Sequence, residues 1–118
     1  MATSELDRAL TAVSNPHRRA VLDLLAERPA TAAQAAQHAN LSLPAFDRHL
    51  RVLVTAGLVQ RRKVGRTNYL AIRRAGLRIV RDWIGGYDVD WGSDDETLDN
   101  YLEALSRDDH TTPHKEQQ

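Results

Sequence analysis

The most constraining feature of this 118-residue chain is a change of hydrophobic period within residues 41–72. In the first part, apolar residues such as Phe46 and Leu50 recur with the 3.6-residue spacing of one helical face. From Val59 onward the period is two, which is typical of a strand with one buried side. The sequence therefore predicts a short amphipathic helix that leads directly into a β-hairpin.

The predicted helix has signals for both of its ends and for two different faces. Ser42 is a suitable N-cap, Pro44 falls in the first turn, where a missing N–H costs nothing, and Gly57 can adopt the left-handed cap conformation. The face opposite the apolar stripe is polar and carries Arg48 and Arg51. This helix can pack one face on a core and present cations on the other.

The hairpin that follows has a cationic tip. Gly65 and Arg66 supply a turn between two predicted strands, residues 60–63 and 69–72. Two further helices are predicted upstream, one from residue 15 to residue 27 and one opened by a capping box at residues 31–34. The predicted fold is mainly α with a small antiparallel β-hairpin, a winged helix-turn-helix.

These segments, in this order, resemble the ArsR-type winged helix-turn-helix transcriptional regulators. The matching motifs are SNPHRR at residues 14–19, HLRVL at 49–53, AGLV at 56–59, and GR at 65–66 with Tyr69. The aromatic and leucine residues of the C-terminal part resemble a cysteine-less subgroup of that family. The resemblance implies a homodimeric regulator of double-stranded DNA, most often a repressor at a palindromic promoter operator. No cofactor is predicted, because this chain lacks the cysteine ligands through which many members of the family bind metals.

On this interpretation residues 31–72 read DNA. The recognition helix would enter the major groove, and the wing would grip phosphates or the adjacent minor groove. The predicted recognition-helix contacts are Ser42, Leu43, Ala45, Asp47, Arg48 and Arg51. The predicted wing contacts are Arg61, Arg62, Lys63 and Arg66.

Two positions depart from the family pattern. Phe46 stands where a small β-branched residue is usual, and we expect it to be a larger core residue. Asp47 stands where a small hydroxyl residue is usual, and its carboxylate would repel phosphates. Two interpretations of Asp47 stay open: it accepts a hydrogen bond from a cytosine N4 amine, or it forms an i,i+4 pair with Arg51 and holds that guanidinium toward DNA.

The net charge of zero hides a division of the chain. Residues 41–74 hold eight basic residues and one acid, an excess of seven positive charges. Residues 75–118 hold four basic residues and eleven acids, an excess of seven negative charges. One part of the molecule should therefore attract phosphates while the other repels them, although two ordinary solvated faces would show the same composition.

Other kinds of site find little support. The chain has no cysteine, which excludes disulfides and thiolate metal sites. The acids and histidines of residues 108–114 straddle Pro113, which breaks a helix, so no metal site is predicted. No nucleophile is paired with a base, so no enzyme is predicted, and His49 is expected to pack at the helix edge.

Apolar stripes near both ends of the chain predict a homodimer, because a small winged core cannot easily bury them. Pairing across a two-fold axis through residues 1–14 and 75–107 would bury both stripes and set two recognition helices about 34 Å apart. The predicted interface residues are Leu6, Leu10, Val13, Trp91, Leu98, Tyr101, Leu102 and Leu105. Trp83, Tyr87 and Trp91 either fill this dimer core or line a pocket for a small-molecule effector.

The sequence predicts one domain over residues 1–107 and a disordered polar tail over residues 108–118. No apolar run spans a membrane and no signal peptide is present, so a cytoplasmic protein is expected. A winged helix can also serve as a protein-interaction or RNA-binding module, which is the alternative to a specific DNA regulator.

Overall fold

A computed structural model describes residues 4–87 and 94–111 of the chain. Within these residues the helices are α1 (Glu5–Val13), α2 (Pro16–Glu27), α3 (Ala32–His38), α4 (Leu43–Thr55), α5 (Arg74–Gly85) and α6 (Asp94–Thr111). The strands are β1 (Ala30–Thr31), β2 (Val59–Val64) and β3 (Thr67–Ile72). They form an antiparallel sheet in the order β1-β3-β2.

The helix ends follow the capping signals of the sequence. The Ser42 side chain accepts a hydrogen bond from the backbone N–H of Ala45 at 3.3 Å, which caps α4. Thr31 and Gln34 form the predicted capping box at α3. Gly57 adopts the left-handed conformation after α4 with φ of 79°. The predicted starts of both helices and the predicted end of α4 are confirmed.

The predicted hairpin is confirmed, and the sheet has a third strand that the sequence did not indicate. β2 and β3 pair in a continuous register from Val59↔Ile72 to Val64↔Thr67, around the turn at Gly65. β1 adds to the other edge of β3, with Ala30 opposite Leu70. A strand of two residues is too short to display a period, so only the tertiary structure shows it.

A small apolar core holds the first four helices against the sheet. α4 contributes Phe46, Leu50 and Leu53, all almost fully buried, and Phe46 is 2% exposed as expected of a core residue. The other large, nearly fully buried side chains are Val21, Leu58, Val59 and Leu70. Burying one face of α4 in this way leaves its opposite face at the surface.

The chain divides into two compact units, Met1–Gly86 and Tyr87–Gln118. The division follows directly on the end of α5, whose last residue is Gly85 and whose C-cap is Gly86. α6 belongs to the second unit and runs to Thr111, beyond the start of the polar tail predicted at residue 108. The helix passes this boundary because the first helix breaker in the segment is Pro113.

Several sequence predictions concern the C-terminal part of the chain. Trp91 and residues 112–118 lie outside the described residues, so the predictions made for them stay predictions. In α6 the predicted apolar side chains are exposed within the single chain: Leu98, Tyr101, Leu102 and Leu105. Over residues 4–87 and 94–111, none of the helices combines the length and apolarity needed to cross a bilayer.

Candidate nucleic-acid interface

The recognition helix α4 presents most of its predicted contact residues at the surface. Leu43 is 60% exposed although it is apolar, and Arg48 and Arg51 are exposed on the side away from the core. Ser42 and Asp47 are exposed as well, whereas Ala45 is partly buried. The first turn and the arginines therefore form one accessible surface, to which Ala45 contributes least.

Asp47 and Arg51 form the predicted i,i+4 pair. Arg51 Nη2 donates to Asp47 Oδ2 at 2.9 Å, and both side chains are mostly exposed. An exposed pair of this kind stabilises a helix by roughly 0.2–0.5 kcal/mol, so its main effect is to orient the guanidinium. The pair is confirmed, while the reading of a cytosine by Asp47 stays a prediction.

The wing carries its cations on both faces of the hairpin. After Val59, every residue of β2 is exposed, and so is the turn residue Arg66. Arg62 lies opposite Tyr69, whereas Arg61 lies opposite Leu70 on the other face of the ribbon. Because successive strand residues alternate between faces, Arg61 and Lys63 share the face whose Val59 and Leu70 enter the core, and Arg62 lies on the opposite face.

The described residues also include an arginine whose role the sequence did not reveal. Arg18 Nε donates to the carbonyl of Ala12 at 2.7 Å, and Arg18 Nη2 donates to the carbonyl of Thr11 at 3.1 Å. Arg18 Nη1 lies 3.1 Å from His49 Nδ1 in the recognition helix. One side chain thus joins the end of α1 and the middle of α4 to α2. The SNPHRR motif contains this arginine but does not distinguish it from its neighbour Arg19.

The contact with Arg18 determines the state of the His49 ring. A guanidinium only donates, so Nδ1 of His49 accepts and the neutral ring carries its proton on Nε2. Partial burial lowers the pKa of His49 below its usual value of 6.5, and the positive charges of Arg18, His17 and Arg48 lower it further. His49 is therefore a packed helix histidine, as the sequence predicts, and it favours the neutral form.

Among the side chains that the structure describes, those of residues 4–87 and 97–108, no group of three or more histidine, aspartate or glutamate residues is arranged to hold a metal ion. The described interface consists of guanidinium, ammonium, hydroxyl and apolar groups together with the carboxylate of Asp47.

Comparison with known proteins agrees with this geometry. Residues 13–62 match the helix-turn-helix domain family. The transcriptional repressor SdpR of Bacillus subtilis is 30% identical over 79 residues, which are 67% of this chain and 88% of SdpR. The crystal structure of the ArsR family transcriptional regulator RHA00566 is 31% identical with a TM-score of 0.68, and the match covers 77% of this chain and 96% of that one.

The chain belongs to the ArsR family of winged helix-turn-helix transcriptional regulators. As an ArsR-family member it is a DNA-binding transcriptional regulator, and α3, α4 and the β2–β3 wing are the helix-turn-helix and wing of that family. The homodimeric winged helix-turn-helix domain Mb0332 from Mycobacterium bovis shares this fold. It is 22% identical with a TM-score of 0.57, over 75% of this chain and 87% of that one.

Proposed function

We propose that this ArsR-family regulator is a homodimeric repressor that binds a palindromic promoter operator and blocks access of the polymerase. The observation that carries the proposal is the exposed cationic surface of α4 and the wing, within a segment of eight basic residues and one acid. The relative SdpR is a transcriptional repressor, which supports repression as the outcome. A cytoplasmic location and the lack of a catalytic role belong to the same proposal.

The two parts of this surface have different tasks in the proposal. In the major groove, Arg48 and Arg51 are the best candidates for the N7 and O6 atoms of guanine, because a guanidinium matches that pair of acceptors. The first-turn residues beside them are Ser42, Leu43 and Ala45. The wing residues bind phosphates or enter the minor groove and so contribute affinity with little sequence preference. These are Arg61, Arg62, Lys63 and Arg66.

Dimerisation through the terminal helices would bring two recognition helices into one DNA-binding surface. Leu6, Leu10 and Val13 of α1 are only partly buried in the single chain. In α6 the side chains of Leu98, Tyr101, Leu102 and Leu105 are exposed in the single chain. Trp91 would join them in the dimer interface. Pairing two copies would cover these surfaces and would set two recognition helices about one DNA turn apart, near 34 Å. Mb0332, which shares the fold, is a homodimer and so supports this assembly.

Fluorescence anisotropy tests the proposal directly. The protein is titrated into a labelled duplex from the region upstream of its own gene and into a scrambled duplex, at several salt concentrations. We expect tighter binding to the upstream duplex and an affinity that falls steeply with salt. Equal affinity for both duplexes would contradict an operator in that region, and absence of binding at low salt would favour a protein-interaction module.

Two arginine variants test the division of labour. We expect Arg48→Ala to lose preference for the upstream duplex by about 1–3 kcal/mol, because a base contact is removed. We expect Arg66→Ala to weaken both duplexes alike and to lower the salt slope by about one unit, because a phosphate contact is removed. Arg81→Ala is the control, since Arg81 is exposed on α5 and pairs with Asp82 at 3.2 Å. Equal loss of discrimination in Arg48→Ala and Arg66→Ala would contradict the division.

A further inference from the structure

Helix α1 has two different flanks. Leu6, Leu10 and Val13 follow one of them, and these are the residues proposed for the dimer interface. Arg8 and Thr11 are three residues apart and so share the opposite flank. The apolar flank is the one proposed for the second copy, and the polar flank is distinct from it.

The polar flank of α1 forms a groove with the recognition helix. The groove, here called the α1–α4 groove, has a volume of about 520 Å³. It is lined by Arg8 and Thr11 of α1 and by Arg48, Arg51, Val52 and Thr55 of α4. These described residues bring together three guanidinium groups and two hydroxyl groups from two helices. None of them is a carboxylate.

The charge of the α1–α4 groove is suited to an anion. Acids stand beside the lining arginines in the sequence: Glu5 and Asp7 lie within three residues of Arg8, and Asp47 precedes Arg48. None of these carboxylates lines the groove. Asp47 engages Arg51 through Nη2, and a guanidinium has five N–H donors. Arginine binds phosphate with paired N–H groups, and threonine hydroxyls are common phosphate donors in protein–DNA complexes. Val52 gives the groove an apolar part that a deoxyribose can contact.

The position of the α1–α4 groove favours a phosphate of the DNA backbone over a free small anion. It shares Arg48 and Arg51 with the surface of α4 that we propose for the major groove. A DNA backbone that passes the recognition helix would therefore reach the groove without any rearrangement of the helix. A free small anion would find the same donors but no further contacts beyond the open groove.

We propose that the α1–α4 groove binds a phosphate of the DNA backbone and that Arg8 is its principal ligand in α1. Helix α1 is then a third DNA-contacting element besides α4 and the wing, and one helix serves both the dimer interface and the DNA. This inference rests on the proposed DNA binding. It adds a contact residue that lies more than 30 positions before the recognition helix in the sequence.

The salt dependence of DNA binding by Arg8 variants tests this proposal. Arg8→Gln keeps much of the side-chain stem and removes the charge, and Arg8→Lys keeps the charge. We measure anisotropy with a random duplex of about 30 base pairs, roughly three helical turns, so that no operator is needed. We expect Arg8→Gln to lower the salt slope by about 0.9 and to weaken binding about tenfold at 0.1 M salt, because one fewer counterion is released.

Controls separate a phosphate contact from a change of fold. Arg81→Gln removes an exposed charge on α5 and should leave the salt slope unchanged. Thr11→Val keeps the shape of its side chain and removes the hydroxyl, so we expect weaker binding with an unchanged slope. Thermal unfolding and sedimentation confirm fold and assembly of each variant. If Arg8→Gln proves unfolded, a wild-type affinity in Thr11→Val contradicts the proposal.

Three outcomes would overturn or redirect the inference. An Arg8→Gln protein with the slope and affinity of Arg81→Gln refutes a phosphate contact at α1. A wild-type protein that binds no duplex refutes the proposed function itself, which is a different result. Inorganic phosphate, titrated into the DNA-free protein by NMR, gives the third result. Saturable binding that depends on Arg8 but leaves the affinity for the duplex unchanged would assign the groove to a free anion instead of DNA.

Discussion

Arginine stabilises the fold at one position of this chain and is exposed at another. Arg18 is partly buried and donates to two carbonyl groups at the end of α1 and to the ring of His49. Arg48 is exposed on α4. Both lie in basic motifs of the sequence. Only their surroundings in the fold distinguish Arg18, which contacts the recognition helix, from Arg48, which is exposed.

Asp47 is the acid of the recognition helix whose removal should strengthen DNA binding. We expect Asp47→Ala to raise the affinity for a scrambled duplex several-fold, because a carboxylate near the phosphates is lost and Arg51 is released from the 2.9 Å pair. Anisotropy at low salt measures this change. Asp23→Ala, which removes an exposed acid from α2, is the control. If Asp47→Ala weakens only the upstream duplex, Asp47 reads a cytosine instead.

His49 should make the stability of the protein depend on pH. Its pKa in the folded protein is lowered, chiefly by burial, so the unfolded chain takes up a proton at a higher pH than the folded chain does. The stabilisation is complete above pH 6.5 and is lost as pH falls through the lowered pKa of the folded state.

The variant His49→Gln isolates this effect from the titration of other histidines. An amide oxygen can still accept from Arg18 but does not titrate, so we expect a flatter dependence of the free energy of unfolding on pH below 6.5. Urea unfolding between pH 5 and 8 measures it. The same profile in wild type and variant would show that His49 does not contribute.

At the scale of elements, the end of α4 links the recognition helix to the wing and to α5. The N–H of Leu58 donates to the carbonyl of Leu53 at 3.0 Å, and the N–H of Arg73 donates to the carbonyl of Leu58 at 2.8 Å. Through Leu58, in the short linker between α4 and β2, backbone hydrogen bonds thus connect the end of α4 with Arg73, which precedes α5.

Gly76 allows α5 to approach this linker closely. A Cβ atom at residue 76 would lie 2.1 Å from the carbonyl oxygen of Gly57, which is backbone and cannot rotate away. We expect Gly76→Ala to lower the free energy of unfolding by about 1–3 kcal/mol, as overpacking of a core does. Urea denaturation measures the difference.

Gly85→Ala is the matched control for that substitution. A Cβ atom at residue 85 has no heavy atom within 4 Å in its described surroundings, and this residue also belongs to α5. We expect a neutral effect or a stabilisation of up to about 1 kcal/mol, because alanine favours helix more than glycine does. Equal destabilisation by both substitutions would show that the contact with Gly57 is not the cause.

At the scale of the whole molecule, charge is separated along the chain. The DNA-reading segment is strongly basic and residues 75–118 are strongly acidic, so the molecule as a whole is neutral. A neutral protein can still be guided to DNA, because the local field at the binding surface acts over about one Debye length, roughly 8–10 Å at physiological salt. The net charge of the whole chain does not reveal this separation of basic and acidic segments.

The assembly of two copies should be separable from the DNA contacts. We expect Leu102→Glu, in the exposed stripe of α6, to shift the protein from dimer to monomer in sedimentation experiments, because a charge would be buried in the interface. Operator affinity should then fall by about 10²-fold or more, since the second half-site is no longer tethered. Val64→Gln changes an exposed apolar residue of the wing and should stay dimeric. A dimeric Leu102→Glu protein would contradict the role of α6.

The sequence by itself determined the local structure of the DNA-reading part. The capping box at Thr31, the cap at Ser42, the left-handed Gly57 and the turn at Gly65 were all predicted, and all are confirmed. These features could be predicted because caps, turns and helical periods depend on residues only a few positions apart. The pair between Asp47 and Arg51 is local in the same sense.

The tertiary structure alone decided which distant residues meet. Strand β1, the contact of Arg18 with His49 and the α1–α4 groove around Arg8 have no local pattern, because their partners are between 31 and 47 residues apart in the chain. Such contacts form only when the core closes and sets the helices side by side, and the closing core depends on packing among many residues at once. For that reason the sequence identified the recognition helix and the wing, whereas the groove beside them became visible only in the folded molecule.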